Sequence, residues 1–429
     1  MTAAELEEYI SVLKARGFKP GLSSVTGLCE KLGNPQDHIR AVHITGTNAK
    51  GSVLAYLTSV LRAAGVRCGC FYSPAMEDDR ETVRAGGRCI SKNDWQVYWE
   101  RIAKAEDELK KEGKDLPTFF EALTALAFMY FKDKDCDIAV VECGMGGKGD
   151  ATNILKHPLV CVFTPISGDH MQFLGSDTAA IAGEKSGIIK QGASVVSSVQ
   201  DAGVTEVILK ATKEAGCPFE TAGSPEKIRY GLNSQSFELK GYGRLKIGLS
   251  GAYQPANAAL AVKVIEQLVK KGIKISDKAL RAGLENAQWY GRFSVLGRKP
   301  CIIADGAHNE AGAEALKNSL DIYFPDSTYV LMMGVLRDKE YRKILKILSG
   351  RACALVTLTP PSNARALDSM ELAEAGSEYI NNTTAAGSVE EAYEMALLLS
   401  GGEKPLVACG SLSWLNKFKN VVEERKGKR

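Results

Sequence analysis

The chain has 429 residues, more than one ordinary hydrophobic core accommodates, so its length favours two or three domains. Hydrophobic residues make up 45% and charged residues 24%, which is typical of folded globular proteins and argues against a disordered chain. The formal net charge of +3 gives no broad electrostatic reason to expect binding to nucleic acid or to a membrane.

The eleven cysteines are scattered and include no CxxC pair, which indicates reduced thiols in a reducing compartment. The N-terminal segment MTAAELEEYISVLKARG is acidic and amphipathic and lacks the basic start and apolar stretch of a signal peptide. No uninterrupted apolar run approaches membrane-spanning length. We therefore expect a cytoplasmic protein.

Strand-like apolar runs alternate with helix-period segments from about residue 41 to residue 215, the pattern of a parallel sheet wound with helices. The strand candidates are AVHIT, CGCFY, DIAVVE, LVCVFTP and SVVSSV. After the first of them, SVLAYLTSVLRAAG has apolar residues at helical spacing and stops at Gly65, a typical C-cap residue. This part of the chain therefore predicts a strand, loop and helix unit.

Short alternating stretches over residues 227–251 predict antiparallel strands, and a helix is expected over 255–271. After the segment WYGRF, strands and helices alternate again up to the C-terminal helix. The predicted fold class is α/β, with an N-terminal P-loop-type parallel sheet wound with helices over residues 1–287. A smaller, Rossmann-like α/β domain is predicted over residues 288–429.

The segment HITGTNAKGSVLAYL places a candidate phosphate loop between a strand and a helix, where backbone N–H groups and the helix dipole favour a phosphate. Lys50 would neutralise phosphate charge, and the hydroxyl of Ser52 would hold Mg²⁺. The motif reads GxxxKG[ST] instead of GxxxxGK[ST], and a strand-to-helix turn without a ligand is the alternative. The residues expected to bind ATP here are Gly46, Thr47, Asn48, Ala49, Lys50, Gly51 and Ser52.

The shifted lysine resembles the GTNGKGS loop of folylpolyglutamate synthases, dihydrofolate synthases and the wider Mur ligase family. Further motifs resemble those of folylpolyglutamate synthases in the same order: PTFFEALTALAFMYF, VVECGMGGKGDATN, ISGDHMQFLG, IAGEKSGIIK, YGRF, DGAHN, GVLRDK and CGSL. The resemblance implies an ATP-binding domain of the central Mur ligase type over residues 1–287 and a glutamate-ligase domain over residues 288–429. Ala49 departs from the family glycine and would add strain at a positive φ.

Glu142 ends an apolar strand, where an unpaired carboxylate would be costly to desolvate, so a cation or a donor should meet it. A structural ion pair is the simpler interpretation of one strand-end glutamate. Beside a phosphate loop and the pair Asp169-His170, the position favours Mg²⁺, which takes few protein ligands. The resemblance implies that His170 reaches a second metal ion and takes part in catalysis.

Lys185 lies in the motif GEKSG and is, taken alone, typical of a solvated helix lysine. In the resembling family the lysine at this position is carbamylated, which replaces a cation by a carboxylate-like group. A free ammonium beside Mg²⁺ would be repelled, and this agrees with carbamylation. We therefore expect a catalytic, carbamylated Lys185.

The motif DGAHN follows the strand CIIAD and opens a helix, which is the usual ligand position in an open α/β sheet. By resemblance, Arg292 contacts phosphate, Asp305 contacts the ribose or adenine, and Asn257 belongs to the nucleotide site. His308 is implied to act near the incoming glutamate, together with Ser411. Helix capping is the alternative for Asn257 and Ser411.

The segment SPAMEDDRETVRAGG stands where the family commonly has SPHL followed by an ERI-type run. Ser73 is retained as a candidate substrate contact, and Arg80 or Arg84 could pair with a folate carboxylate. A solvated charge is the alternative for both arginines. The resemblance also implies that Asp150 and Ala151 contact the pterin.

The resemblance implies an ATP- and Mg²⁺-dependent ligase that adds L-glutamate to a reduced folate through an acyl phosphate. The expected partners are ATP, L-glutamate and reduced folate, without nucleic acid or membrane, and the resemblance implies a monomer. Some family members also join dihydropteroate to glutamate, and the sequence leaves that second activity open. Another Mur-type amino-acid ligase and a non-catalytic nucleotide-binding homologue are the alternatives.

Overall fold

The structure is a computed structural model that describes residues 1–17, 19, 21–168 and 177–427. Its internal contacts divide the chain into two compact units. The first unit comprises Met1–Ser224 and Ala256–Leu284, and the second comprises Pro225–Pro255 and Glu285–Arg429. The functional domain boundary expected after residue 287 stays a prediction.

The first unit is built on a parallel sheet with an antiparallel hairpin at one edge. Its strands are β1 (Ala41–Thr45), β2 (Cys68–Phe71), β3 (Val83–Ala85), β4 (Arg88–Cys89), β5 (Ile138–Glu142), β6 (Val160–Phe163), β7 (Ser194–Ser197) and β8 (Phe219–Thr221). Their order is β4-β3-β2-β5-β1-β6-β7-β8, so β1 lies between β5 and β6 and is parallel to both. Every residue of β1 and β5 is buried, as expected for central strands covered on both faces.

Helices cover this sheet and supply most of its apolar core. They are α1 (Ala3–Ala15), α2 (Ser23–Lys31), α3 (Lys50–Ala63), α4 (Lys92–Lys111), α5 (Phe119–Asp133), α6 (Thr178–Ser186), α7 (Ala202–Glu214), α8 (Gln254–Lys270) and α9 (Asp277–Glu285). Helix α5 starts with a capping box of Thr118 and Glu121 and is buried over most of its length. Its aromatic residues pack with Trp99 of α4 in one large cluster.

The second unit contains two sheets. A three-stranded antiparallel sheet consists of β9 (Glu226–Arg229), β10 (Gln235–Leu239) and β11 (Gly243–Ile247). The larger sheet has the order β12-β13-β17-β14-β15-β16, with strands β12 (Ser294–Arg298), β13 (Cys301–Ala304), β14 (Tyr329–Met333), β15 (Ala352–Leu358), β16 (Thr383–Ala386) and β17 (Leu406–Cys409). Only its edge strand β12 pairs in the antiparallel direction within the described residues.

The helices of the second unit are α10 (Glu310–Tyr323), α11 (Tyr341–Leu348), α12 (Ser369–Ser377), α13 (Val389–Ser400) and α14 (Leu412–Gly427). Two separate apolar clusters line the two faces of the larger sheet. The predicted fold class is confirmed: a helix-wound parallel sheet is followed by a smaller α/β unit. Within the described ranges, none of the helices is both long enough and apolar enough to cross a membrane.

Candidate active site

The loop between β1 and α3 is held against the segment that follows β6. Thr164 Oγ1 donates to the carbonyl oxygen of Asn48 at 2.6 Å, and Thr47 Oγ1 donates to Ser167 O at 2.9 Å. Gly46 has a φ of 144°, and a Cβ there would lie 1.9 Å from Thr164 Oγ1. Because any side chain at Gly46 would meet Thr164, the loop keeps its close approach to the sheet only with glycine at this position.

Ala49 precedes α3 and has a φ of 69°, in the left-handed region of the backbone. The strain anticipated for an alanine at this position is therefore present and costs about 1–2 kcal/mol. Such strain persists where the surrounding structure fixes the backbone, as the threonine contacts of the loop do here.

Two lysine side chains converge on one carbonyl oxygen of this loop. Lys50 Nζ lies 3.1 Å from Gly46 O, and Lys185 Nζ lies 3.0 Å from the same atom. The carboxylate of Glu142 is 3.9 Å from Lys50 Nζ. Lys185 and Glu142 are 3% and 5% exposed, so their charges interact with little screening by water. Two ammonium groups and one carboxylate leave an excess of positive charge, which favours a bound anion such as a phosphate.

The residues present also fit a magnesium ion. Glu142 is the last residue of β5 and is paired in register with Ile44 of β1, so it lies at the same sheet edge as the phosphate loop. Ser52 is fully buried in the first turn of α3. One carboxylate and one hydroxyl suit Mg²⁺, which keeps water and phosphate oxygens as its other ligands.

Among the described residues, no three His, Cys, Asp or Glu side chains form a group that could hold a metal by themselves. His170, the third predicted metal ligand, and its neighbour Asp169 lie outside the described residues.

Asp150 is buried and fully used by its own loop. Its Oδ2 accepts a hydrogen bond from Met145 N at 2.8 Å, and its Oδ1 accepts one from Thr152 N at 3.0 Å. Burial raises the pKa of this carboxyl. Ala151 is 4% exposed and starts a 3₁₀ helix, Ala151–Ile154. The pterin contact of Asp150 and Ala151 stays a prediction, and the geometry gives Asp150 a role in shaping the loop.

The two candidate arginines of the SPAMEDDRETVR segment differ in their surroundings. Arg80 Nε donates to Asp78 Oδ2 at 2.9 Å, and this hydrogen bond raises the pKa of Arg80. Arg84 Nη2 donates to Tyr72 Oη at 3.2 Å, and its guanidinium lies 5.7 Å from the centre of the Tyr72 ring. The charge of Arg80 is thus balanced by Asp78, so Arg84 is better placed to meet a carboxylate. Ser73 is half-buried two residues after the end of β2.

In the second unit, the predicted residues meet where β13 and β17 end side by side. Asp305 Oδ2 accepts hydrogen bonds from Tyr253 Oη at 2.7 Å and from Phe293 N at 2.8 Å. A Cβ placed on Gly306 would lie 2.9 Å from Arg292 Nη1, so the guanidinium packs on the DGAHN loop. The structure therefore brings Arg292 and Asp305 together, as expected for one ligand site.

His308 and Ser411 lie in the loops that follow the same two strands. His308 Nδ1 is 2.7 Å from Gly306 O, so a proton on Nδ1 leaves the lone pair of a neutral ring on Nε2. Ser411 Oγ accepts a hydrogen bond from Ser413 N at 3.2 Å at the start of α14. This is the contact expected if Ser411 caps the helix, the alternative given above for this residue. Asn257 is the fourth residue of α8, which excludes it as the N-cap of that helix.

Sequence reasoning missed a buried polar residue beneath the phosphate loop. His43 is fully buried in β1, with Nε2 2.7 Å from Thr152 Oγ1. Thr45, two residues on, donates to Gly146 O at 2.6 Å and ties the same strand to the same loop. A signal was present, because a histidine interrupts the apolar strand AVHIT.

Family models match both halves of the chain. The Mur ligase middle domain matches residues 44–265, and the glutamate ligase domain of Mur ligases matches residues 291–412. A Bacillus subtilis protein named dihydrofolate synthase/folylpolyglutamate synthase is 36% identical over 348 residues, which are 79% of this chain and 81% of that protein. The chain belongs to the folylpolyglutamate and dihydrofolate synthase family of Mur ligases.

Solved structures of the same family agree with this Mur ligase over nearly its whole length. Mycobacterium tuberculosis folylpolyglutamate synthase complexed with ADP and AMPPCP has a TM-score of 0.89, 30% identity and 99% coverage of both chains. E. coli FolC in complex with DHPP and ADP has a TM-score of 0.85, 27% identity and 98% coverage of both chains. The fold class and the family resemblance inferred from the motifs are therefore confirmed.

Proposed function

We propose that this Mur ligase uses ATP to form an amide bond between a carboxylate of a reduced folate and the amino group of L-glutamate. The convergence of Lys50 and Lys185 on Gly46 O beside Glu142 carries this proposal, because it brings a cation, a carboxylate and a lysine that can be modified together at a phosphate loop. Solved relatives complexed with ADP and AMPPCP support ATP as the co-substrate.

In the proposed reaction, a carboxylate oxygen of the acceptor attacks the γ-phosphorus of ATP. The bond from the γ-phosphorus to the β,γ-bridging oxygen breaks, ADP leaves, and an acyl phosphate forms. The amino group of glutamate then attacks the acyl carbon, loses a proton and expels inorganic phosphate. Both steps depend on positioning and on charge neutralisation more than on a protein nucleophile.

The phosphate-loop residues 46–52 would hold the ATP phosphates, and Lys50 would shift from the loop carbonyls to a phosphate oxygen. Glu142 and Ser52 would hold Mg²⁺, which neutralises phosphate charge when bound, and His170 would reach a second metal ion. Arg292 would add positive charge on the phosphates.

We further propose that Lys185 is carbamylated. The ammonium group would first lose one proton to solvent, and the neutral amine nitrogen would then form a bond to the carbon of CO₂ and lose a second proton, so the side chain changes from a cation to an anion. The support is electrostatic: Lys185 is 3% exposed and shares its carbonyl partner with a second ammonium group. Partial recovery of a Lys185→Ala variant by added formate or acetate would support this modification. Identical rates with and without CO₂ and bicarbonate would count against it.

The remaining assignments follow the family motifs. Asn257 and Asp305 are proposed for the nucleoside of ATP, and His308 with Ser411 for L-glutamate. The folate side is assigned to Ser73, Arg80 or Arg84, Asp150 and Ala151. We propose a cytoplasmic monomer that acts on small molecules, without nucleic acid or membrane.

Dihydropteroate is proposed as a second acceptor, because the Bacillus subtilis relative carries both activities in its name. The reaction would be the same, with the benzoate carboxylate of dihydropteroate in place of a glutamate carboxylate. Both acceptors contain a pterin and a carboxylate, so one site could recognise the shared parts.

Phosphate release from ATP with Mg²⁺ and L-glutamate tests these proposals, with tetrahydrofolate, dihydropteroate or no acceptor and with product masses. A glutamate-sized mass gain on tetrahydrofolate is expected, and a gain on dihydropteroate would add the second activity. If neither acceptor gains mass but another carboxylic acid does, the protein is a different Mur-type ligase. Tight ATP binding without any product would indicate a non-catalytic homologue.

A further inference from the structure

His43 is a buried histidine for which the proposed reaction has no use. It lies on β1, three residues before Gly46, and is 0% exposed. Its Nε2 atom lies 2.7 Å from Thr152 Oγ1 and 3.1 Å from Cys143 Sγ. Its Nδ1 atom is buried without a hydrogen-bond partner among the described atoms. Burial lowers the pKa of His43 to about 3, so the ring is neutral and carries one proton at physiological pH.

The contacts of Thr152 decide which ring nitrogen carries that proton. Thr152 Oγ1 lies within hydrogen-bond distance of Asp150 Oδ1, and an ionised carboxylate only accepts, so the hydroxyl donates to Asp150. The hydroxyl oxygen can then accept from His43, which places the proton on Nε2 and leaves the lone pair on the unpartnered Nδ1. A hydrogen-bond chain therefore runs in one direction from His43 through Thr152 to Asp150.

The loop over residues 143–153, which Asp150 shapes, connects the predicted catalytic groups. It begins directly after Glu142. Lys148 N donates to Glu184 O at 2.8 Å. A Cβ on Gly147 would lie 2.6 Å from Lys185 O, so the loop packs directly on the backbone of that lysine. A change in the shape of this loop would therefore move Glu142 and Lys185 relative to the phosphate loop.

We propose that His43 and Thr152 are positioning residues for phosphoryl transfer: through Asp150 they hold the 143–153 loop, and thereby set Glu142 and Lys185 around the phosphate loop. The inference rests on the proposed function, because it concerns the same site. Neither side chain touches the reacting atoms in this scheme. Removing one link leaves a buried polar group without its partner, and the loop would rearrange to satisfy that group.

The test compares Thr152→Val with Thr212→Val. Thr212 is a matched control, because it is also buried and its hydroxyl donates to Ile208 O at 2.7 Å within α7. Thr152→Val should lower kcat roughly 10- to 100-fold, as loss of a group supporting a metal ligand does, and should raise the Mg²⁺ concentration for half-maximal rate. The KM for L-glutamate should change little, and Thr212→Val should match the unsubstituted enzyme in all three quantities.

A binding measurement separates this inference from the proposed function. Calorimetry of ATP binding, with Mg²⁺ and with EDTA, should show that Thr152→Val loses most of the affinity gained from Mg²⁺. Thr212→Val should keep that gain. This readout needs no amide product, so it tests the positioning role even if the unsubstituted protein ligates none of the acceptors tried.

A second pair of variants tests the imidazole N–H. His43→Gln keeps an N–H donor near the position of Nε2, whereas His43→Leu removes it, so His43→Gln should recover most of the activity that His43→Leu loses. Hydrogen exchange over residues 144–153 should be faster in Thr152→Val than in Thr212→Val. A folded Thr152→Val protein with unchanged kcat and Mg²⁺ dependence would overturn the proposal. Equal activity of the two His43 variants would show that the imidazole N–H has no part in positioning the loop.

Discussion

The phosphate-loop region of the first unit and the DGAHN region of the second unit both lie where parallel strands end, yet their charges are balanced differently. In the first region, Lys50 and Lys185 point at one carbonyl oxygen, that of Gly46. In the second region, Asp305 accepts three hydrogen bonds from its own unit, the third from Ala307 N at 2.8 Å. The first region keeps charge for a ligand, and the second uses its charge to fix its loops.

This difference predicts two kinds of response to substitution. A group whose charge awaits a ligand contributes little to folding, so its removal should change turnover more than stability. A buried carboxylate that satisfies backbone donors contributes to folding directly, so its replacement should lower stability as well as binding.

The largest effect is expected from Lys50→Ala. It removes the ammonium group that would neutralise phosphate charge, so kcat/KM for ATP should fall about 10²- to 10³-fold, as for other lost electrostatic donors. The melting temperature should change little, because a group whose charge awaits a ligand contributes little to folding. Lys156→Ala, which removes an exposed lysine paired with Asp37 at 3.0 Å, is the control and should keep full activity. Full activity of Lys50→Ala would refute the assignment of this site.

Asp305→Asn should show the opposite balance. An asparagine amide offers one acceptor oxygen where the carboxylate offers two, so a buried donor loses its partner and stability should fall by about 1.5–3 kcal/mol. Urea unfolding measures this change. Glu378→Gln is the control, because Glu378 pairs with Arg342 at 2.6 Å on the surface, where ion pairs contribute little. Unchanged stability of Asp305→Asn would remove the contrast between the two regions.

The fold class could be predicted because its signals are local. Apolar runs such as AVHIT and DIAVVE match the observed β1 and β5 to within one residue, and helical spacing identified the helix after the phosphate loop. The grouping of 225–255 with the second unit carries no such local signal, because it depends on which surfaces pack together.

The motifs predicted which residues belong to the candidate site, but they did not predict which of these residues contact one another. A motif indicates that Glu142 and Lys185 belong to one site, but it gives no distances. The bond between His43 and Thr152 spans 109 positions of the chain and depends on the register of β1 against the loop after β5. The partner of Arg80 lies only two residues away at Asp78, but the sequence alone does not show that the loop brings this carboxylate to the guanidinium.

The buried histidine of the first region predicts a dependence of stability on pH. The folded pKa of His43 is about 3, below the unfolded value near 6.5, so the fold favours the neutral ring. This stabilisation is present above the unfolded pKa and is lost as pH falls towards the folded pKa. The free energy of unfolding should therefore fall by about 2 kcal/mol more between pH 8 and pH 5 in the unsubstituted protein than in His43→Gln.

Unfolding in urea at several pH values measures this difference, and the slope with pH matters more than the absolute stability of each variant. His157→Gln is the control, because it makes the same substitution at an exposed histidine. Parallel pH profiles for His43→Gln and the unsubstituted protein would mean that His43 has the same pKa in the folded and the unfolded chain, which would contradict a buried, neutral ring that donates to Thr152.

The smallest effect is expected from Ser411→Ala. This variant tests most directly whether one group can both fix its loop and bind a ligand. Ser411 Oγ accepts from Ser413 N at the start of α14, so loss of the hydroxyl should lower stability by about 1 kcal/mol. If the hydroxyl also meets L-glutamate, as proposed, the KM for glutamate should rise at nearly constant kcat. We expect both changes, because a hydroxyl fixed by a helix start is already oriented for a ligand. Lower stability with an unchanged KM would restrict Ser411 to the helix cap and leave glutamate to His308.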